Sequence, residues 1–294
     1  MIKKISLLLT IISFCLNSSL VQATSSSLSK KSSLVINLNN GKILHADNHH
    51  ALRYPASLVK MMTLYITFAK LKQGELTLGQ ELPISKKAAS MPRTNLNLKA
   101  GNKISVRKAI LGLIVHSGND AAVVLAEAIA GSEENFVKLM NIQAKKLGMV
   151  KTTYCNASGW HHKNQKSTAY DLAKLSIALK RNFPEFFPWF SIKSFSFNGK
   201  TYKSHNHVCS KYQWATGLKT GFTNPSGFNL ATTADKHGNQ LVAIVLGHNT
   251  AKARDNYMIK LLDNSFHKLT YPATMRMANI AKKNKSYNNK SLNK

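Results

Sequence analysis

Three short stretches hold side chains that could act together on a carbonyl carbon. In RYPASLVKMMT, residues 53–63, Ser57 and Lys60 lie three apart, which on a helix puts both on one face about one turn apart. A hydroxyl is a weak nucleophile until a base takes its proton, and a lysine serves as that base when desolvation lowers its pKa. Spacing alone does not select this pair, because Ser27/Lys30, Ser105/Lys108, Ser265/Lys268 and Ser291/Lys294 share it. Context does: Ser57 follows Pro55-Ala56 and opens an apolar helix. Its hydroxyl would sit at a helix N-terminus, where backbone N–H groups stabilise a developing anion, and Lys60 would be carried onto a largely buried face.

The second stretch is HSGND, with Ser117 and Asn119 at the junction of two helical patterns. Ser-x-Asn also occurs at Ser196/Asn198 and Ser204/Asn206, and either residue could simply cap a helix. The third is LKTGFT, 218–223, where Lys219-Thr220-Gly221 is the chain's single Lys-Thr-Gly. On an edge strand the cation attracts a carboxylate, the hydroxyl binds it, and the glycine lets another backbone approach closely.

The elements that must position these stretches follow from periodicity. LVINL, the turn Asn39-Asn40-Gly41 and KILHA read as a hairpin. A helix is expected from about Ser57 to Lys72, with Leu58, Met61, Met62, Tyr65 and Phe68 as its apolar stripe. Four more helical patterns follow: 105–118, 119–131, 133–148 and 168–182. Strand signals return in a hairpin about Asn198-Gly199 and a pair about Gly238-Asn239, before a last amphipathic helix ending near Leu269. Strands come first and last, so the expected class is α+β: a mainly antiparallel sheet assembled from both ends and flanked by helices, with an inserted helical subdomain at about 79–184.

The first 23 residues read as a secretory signal: Lys3 and Lys4, an apolar run over 5–16, then Val-Gln-Ala before a cleavage point after Ala23. A polar leader, 24–32, precedes the packed region at 33–270, and 271–294 is a basic, polar tail expected to be disordered. The expected location is therefore the periplasm or the outer face of the cytoplasmic membrane, with the tail able to touch an anionic membrane or wall. Forty-one Lys and Arg against 12 Asp and Glu give a net charge of +29. That field favours anionic partners, yet the lysines are spread along the chain rather than grouped with aromatics, which argues against a nucleic-acid module. Beyond the signal, Cys155 and Cys209 are left, and one disulfide is permitted in an oxidising compartment.

Ser57-x-x-Lys60, Ser117-x-Asn119 and Lys219-Thr220-Gly221, in that order, form the motif set of penicillin-binding proteins and class A β-lactamases. With PASLVKMMT, SGNDAAVVLAE, STAYDLAKL and GLKTGFT around them, residues 33–269 resemble the low-molecular-weight penicillin-binding proteins of the serine D-alanyl-D-alanine carboxypeptidase family. The resemblance implies a β-lactamase/transpeptidase-like fold and removal of the terminal D-alanine from peptidoglycan stem pentapeptides, with β-lactams as covalent inhibitors. It assigns Ser57 as acyl-ester nucleophile, Lys60 as its base and Ser117 as proton relay assisted by Lys219. Asn119 would bind the donor peptide, Thr220 and Thr223 the terminal carboxylate, and the N–H groups of Ser57 and Phe222 the oxyanion. Gly221 belongs to the same strand, and Arg254 matches a family arginine near the carboxylate end of the cleft. No metal or organic cofactor is implied. A zinc reading of His205, His207 and Cys209 on one side of a possible strand, with His161-His162, competes with this, but such alternation arises by chance among 11 histidines.

Two enzymatic rivals share the chemistry. A class A β-lactamase needs a deacylating glutamate in an E-x-x-x-N context past the second motif, and GMVKTTYCNASGW, 148–160, has no acidic residue. A D,D-endopeptidase would open cross-links with the same groups. A catalytically silent polyanion-binding protein would not need all three motifs intact.

Overall fold

A computed structural model describes residues 30–270; the expected signal, most of the leader and the basic tail lie outside the described residues. The chain runs β1 (Ser32–Asn37), β2 (Ile43–Asp47), a 3-10 turn (Ala56–Val59), α1 (Lys60–Lys72), β3 (Glu81–Pro83), α2 (Lys86–Ala89) and β4 (Lys103–Ser105). It continues through α3 (Val106–Leu111), a π turn (Gly112–His116), α4 (Asn119–Ala130), α5 (Glu133–Lys146) and α6 (Ala169–Asn182). It closes with β5 (Ser194–Phe197), β6 (Lys200–Lys203), α7 (His207–Lys211), β7 (Ala215–Thr223), β8 (Gly227–Lys236), β9 (Asn239–His248) and α8 (Ala251–Thr270).

The main sheet has the order β2-β1-β9-β8-β7 with every pairing antiparallel, so the N-terminal hairpin docks on the C-terminal strands. The apolar run LVAIVL on β9 is what a strand buried on both faces needs. Its side chains alternate with period two. Val242, Ile244 and Leu246 join Leu34 and Ile36 in the core shared with α1 and α6. Leu241, Ala243 and Val245 join Val35 and the α8 residues Met258, Leu262 and Phe266 on the opposite face.

Helix α1 packs against α4, α5 and α6, and α6 in turn lies on the sheet strands β1, β8 and β9. The first nine residues of α1, Lys60 to Phe68, are all buried, the position an all-round apolar helix takes. That placement is why Lys60 is withdrawn from water.

Local differences from the sequence expectations have physical causes. The helix expected from Ser57 opens instead as a 3-10 turn because Ala56 is left-handed (φ +50°). The pattern 105–118 breaks at Gly112, which packs so tightly on Leu96 that a Cβ there would come within 2.6 Å of its Cδ1. The three-residue strands of the β3–β4 ribbon are too short to show period two. His207 and Cys209 sit on helix α7, not on a strand, so the alternation that suggested a shared metal-facing side does not arise. Cys155 and Cys209 are both free thiols.

Candidate active site

Ser57 is presented by a turn that three other segments clamp. Asn229, fully buried on β8, donates from Nδ2 to the carbonyls of Tyr54 (3.0 Å) and Pro55 (3.2 Å), while its Oδ1 accepts from Gly247 N–H at 2.9 Å. Gly221 of β7 approaches from the edge: an added Cβ would lie 3.0 Å from both Pro55 O and Ser57 N. Gly159, at φ +82°, is tighter still, with a virtual Cβ 2.1 Å from Ala56 O. Only a residue without Cβ fits a left-handed backbone at such contact. Gly159→Ala is therefore expected to cost at least about 2 kcal/mol, lowering the melting temperature by roughly 4–8 °C in a domain of this size. Acylation should fall with it, because the nucleophile's turn must move; a melting curve beside a penicillin-labelling assay reads both.

Lys60 is fully buried one turn on, with Nζ 3.1 Å from Ser57 Oγ, 2.7 Å from Asn119 Oδ1 and in contact with the Ser158 carbonyl. Asn119 Nδ2 donates to Pro92 O at 2.9 Å, which turns Oδ1 toward the lysine. The carbonyl of Ser158 and Oδ1 of Asn119 can only accept. A neutral amine would give its two N–H groups to them, leaving its lone pair facing the Ser57 hydroxyl. Burial first, and then the charge of Lys219, holds the Lys60 pKa well below its ordinary range, against the opposing pull of Asp120.

Ser117 ends the π turn in the left-handed region (φ +65°), and its buried Oγ has no hydrogen-bond partner. The turn is tied to segment 91–98. Thr94 accepts Asn119 N–H on its carbonyl (2.7 Å) and donates its hydroxyl to Ser117 O (2.9 Å). Asp120 Oδ2 accepts the N–H groups of Leu96 (2.8 Å) and Leu98 (3.2 Å).

β7, at the edge of the sheet, carries the third motif. Lys219 is buried beneath it, its Nζ donating to Thr220 O at 3.0 Å. Burial, with Arg254 second, lowers its pKa to about 7. Thr223 Oγ1 is buried without a partner. The half-exposed Phe222 ring stacks on Phe228 at 4.2 Å between centroids. Arg254, buried at the start of α8, donates Nε (2.9 Å) and Nη2 (2.7 Å) to Asp255 Oδ1 and Nη1 to Asn229 O (3.3 Å). Three of its five N–H groups are used.

A cleft of about 450 Å³ brings these groups together. Ser57, Ser117, Asn119, Thr220, Gly221, Phe222, Thr223 and Arg254 all line it, and Lys60 and Lys219 lie buried beneath. No Asp or Glu is among its lining residues. Arg93, Trp160 and His205 also line it and were not singled out for it in the sequence. His205, pushed down to about 4 by burial and then by Lys219, is neutral at pH 7. The fold and the lysine-paired serine at the seam of sheet and helical block define the penicillin-binding class. The ampicillin-bound penicillin-binding protein D2 of Listeria monocytogenes aligns at TM-score 0.70 with 31% identity, over 80% of this chain and 96% of that one.

The chain belongs to the D-alanyl-D-alanine carboxypeptidase family, whose model matches residues 19–250. The carboxypeptidase DacD of Escherichia coli is 38% identical over 236 residues, 78% of this chain and 61% of that protein. A D-alanyl-D-alanine endopeptidase of Pseudomonas aeruginosa is 33% identical over 227 residues, 74% of this chain and 71% of that protein. The chain thus spans about three fifths of the length of the E. coli relative.

Proposed function

We propose that this protein is a serine D,D-carboxypeptidase that removes the terminal D-alanine from peptidoglycan stem pentapeptides through an acyl-enzyme on Ser57. The observation that carries the reading is the buried Lys60, whose two acceptors leave its lone pair for the Ser57 hydroxyl. Lys60 takes the Ser57 proton as Oγ attacks the D-Ala–D-Ala carbonyl. The N–H groups of Ser57 and Phe222 bind the oxyanion, a reading supported by the close approach of Gly221, the residue before Phe222, to the Ser57 backbone. Ser117, whose hydroxyl is unspent, passes a proton to the leaving D-alanine with Lys219 assisting. Thr220, Thr223 and the two unused Arg254 N–H groups hold the terminal carboxylate. Asn119 keeps one amide N–H for the donor peptide, the other being given to Pro92. Water then frees the enzyme.

With no carboxylate lining the cleft, a penicilloyl ester lacks the deacylating base of a class A β-lactamase and should persist. Labelled penicillin is expected to stay on the protein, with mass mapping placing it on Ser57. Rapid penicillin turnover without a trapped adduct would sink the reading. The name of the P. aeruginosa relative favours one second reading, cleavage of cross-links. Purified muropeptides separate the two: pentapeptides losing one D-alanine support carboxypeptidase, and dimers becoming monomers support endopeptidase. The substrate lies outside the cytoplasm, in accord with the signal read over residues 1–23; among the described residues no helix is long and apolar enough to cross a membrane.

A further inference from the structure

We infer that Arg93 reads a second carboxylate, on the side chain of the residue preceding the D-alanine pair, so that the enzyme prefers acyl donors carrying a free acid there over amidated ones. The inference rests on the carboxypeptidase reading above and names the donor class for that site. Arg93 lines the catalytic cleft, its side chain is exposed, and it has no hydrogen-bond or ion-pair partner among the described residues. Its backbone is anchored on both sides to the turn that carries Ser117 and Asn119. Pro92 O accepts Asn119 Nδ2 at 2.9 Å, and Thr94 O accepts Asn119 N–H at 2.7 Å. Arg93 and Asn119 therefore share one anchored segment pair and line the same cleft.

The other arginine of the cleft differs in kind. Arg254 is buried and already gives two N–H groups to Asp255. It is matched to the terminal carboxylate at the far end of the scissile bond. Arg93 has no such internal neutraliser, and no Asp or Glu lines the cleft to supply one. A planar fork of five donors pairs best with a carboxylate, and a primary amide of the same shape offers it neither charge nor a bidentate acceptor.

The test uses two acetylated tripeptides ending in D-Ala-D-Ala, one with L-2-aminoadipate before the pair and the other with its side-chain amide. For wild type, D-alanine release should favour the acid by about tenfold in kcat/KM, the scale of one charge-assisted pair in a partly open cleft, and the difference should lie in KM. In Arg93→Gln the ratio should fall to near one, and Arg93→Lys should keep part of it. A ratio near one in wild type, or one unchanged in Arg93→Gln, would overturn the inference. If wild type releases no D-alanine from either peptide, the carboxypeptidase reading itself is overturned, a result distinct from loss of the preference.

Discussion

Lys60→Met is expected to lower the rate of Ser57 acylation by penicillin by about 10³–10⁴-fold, the upper range for removing a general base. Methionine has nearly the same length and volume, so the core around α1 stays filled. A polar amine leaves a fully buried site, which stabilises, while Asn119 Oδ1 and Ser158 O lose a donor, which costs about 1–3 kcal/mol each. These oppose each other, so melting should move little while chemistry collapses. Lys60→Arg sharpens the test. A guanidinium keeps the charge but cannot become neutral, so it should be as inactive as methionine if the lysine works as a base. Substantial acylation by the arginine variant would mean that Lys60 serves through its charge.

Titration of Lys60 sets the pH dependence. The active form is the neutral amine, and its pKa is held down by burial and by Lys219. Below that pKa, acylation should fall tenfold per pH unit, because each unit protonates ten times more of the base. Stopped-flow penicillin binding as a function of pH measures the slope; acylation that speeds up as pH falls would remove Lys60 from the proton's path.

The three motifs were legible because each is carried by neighbours in the chain. The Ser57–Lys60 pairing is one helical turn, and Lys219 to Thr223 lie on one strand. Even the burial of Lys60 followed from the apolar stripe that continues α1. What stayed hidden depends on backbone meeting backbone across long separations. Asn229 acts on carbonyls 174 and 175 residues away, and Gly159 matters only because Ala56 O lies against it. The acceptor from Ser158 is a main-chain carbonyl, so no side-chain type could announce it. Arg93 carried no chemical signal until the fold set it on the cleft wall, and His205, read in the sequence as a zinc candidate, lines that wall beside it. The helix α7 read as a strand because alternating histidines imitate period two over five residues, a length at which helix and strand patterns do not separate.

Lys219→Met should make the protein more stable and nearly inactive toward its peptide substrate. Lys219 is almost fully buried, and its pKa falls from 10.5 to about 7, chiefly by desolvation. A lysine whose folded pKa lies below its unfolded value binds its proton more tightly in the unfolded chain, so it penalises folding. The penalty is full below pH 7, shrinks as pH rises from about 7 to 10.5, and is gone above that window. A shift of that size corresponds to an upper limit of about 4–5 kcal/mol, less the bond to Thr220 O, so a net gain of roughly 2–4 kcal/mol is expected at pH 7. Melting temperature should therefore rise at pH 7 and the advantage should vanish toward pH 10. Substrate turnover should drop by about 10²–10³-fold, as for loss of one preorganised electrostatic partner. A variant that melts lower than wild type at pH 7 would contradict the assignment of Lys219 as a strained cation. One that is stabilised yet fully active would show that the burial serves no step of the reaction. The expected combination explains why a lysine stays in so dry a place: the instability it imposes on the fold is the same desolvation that lets it assist Ser117 in the proton transfer without competition from water.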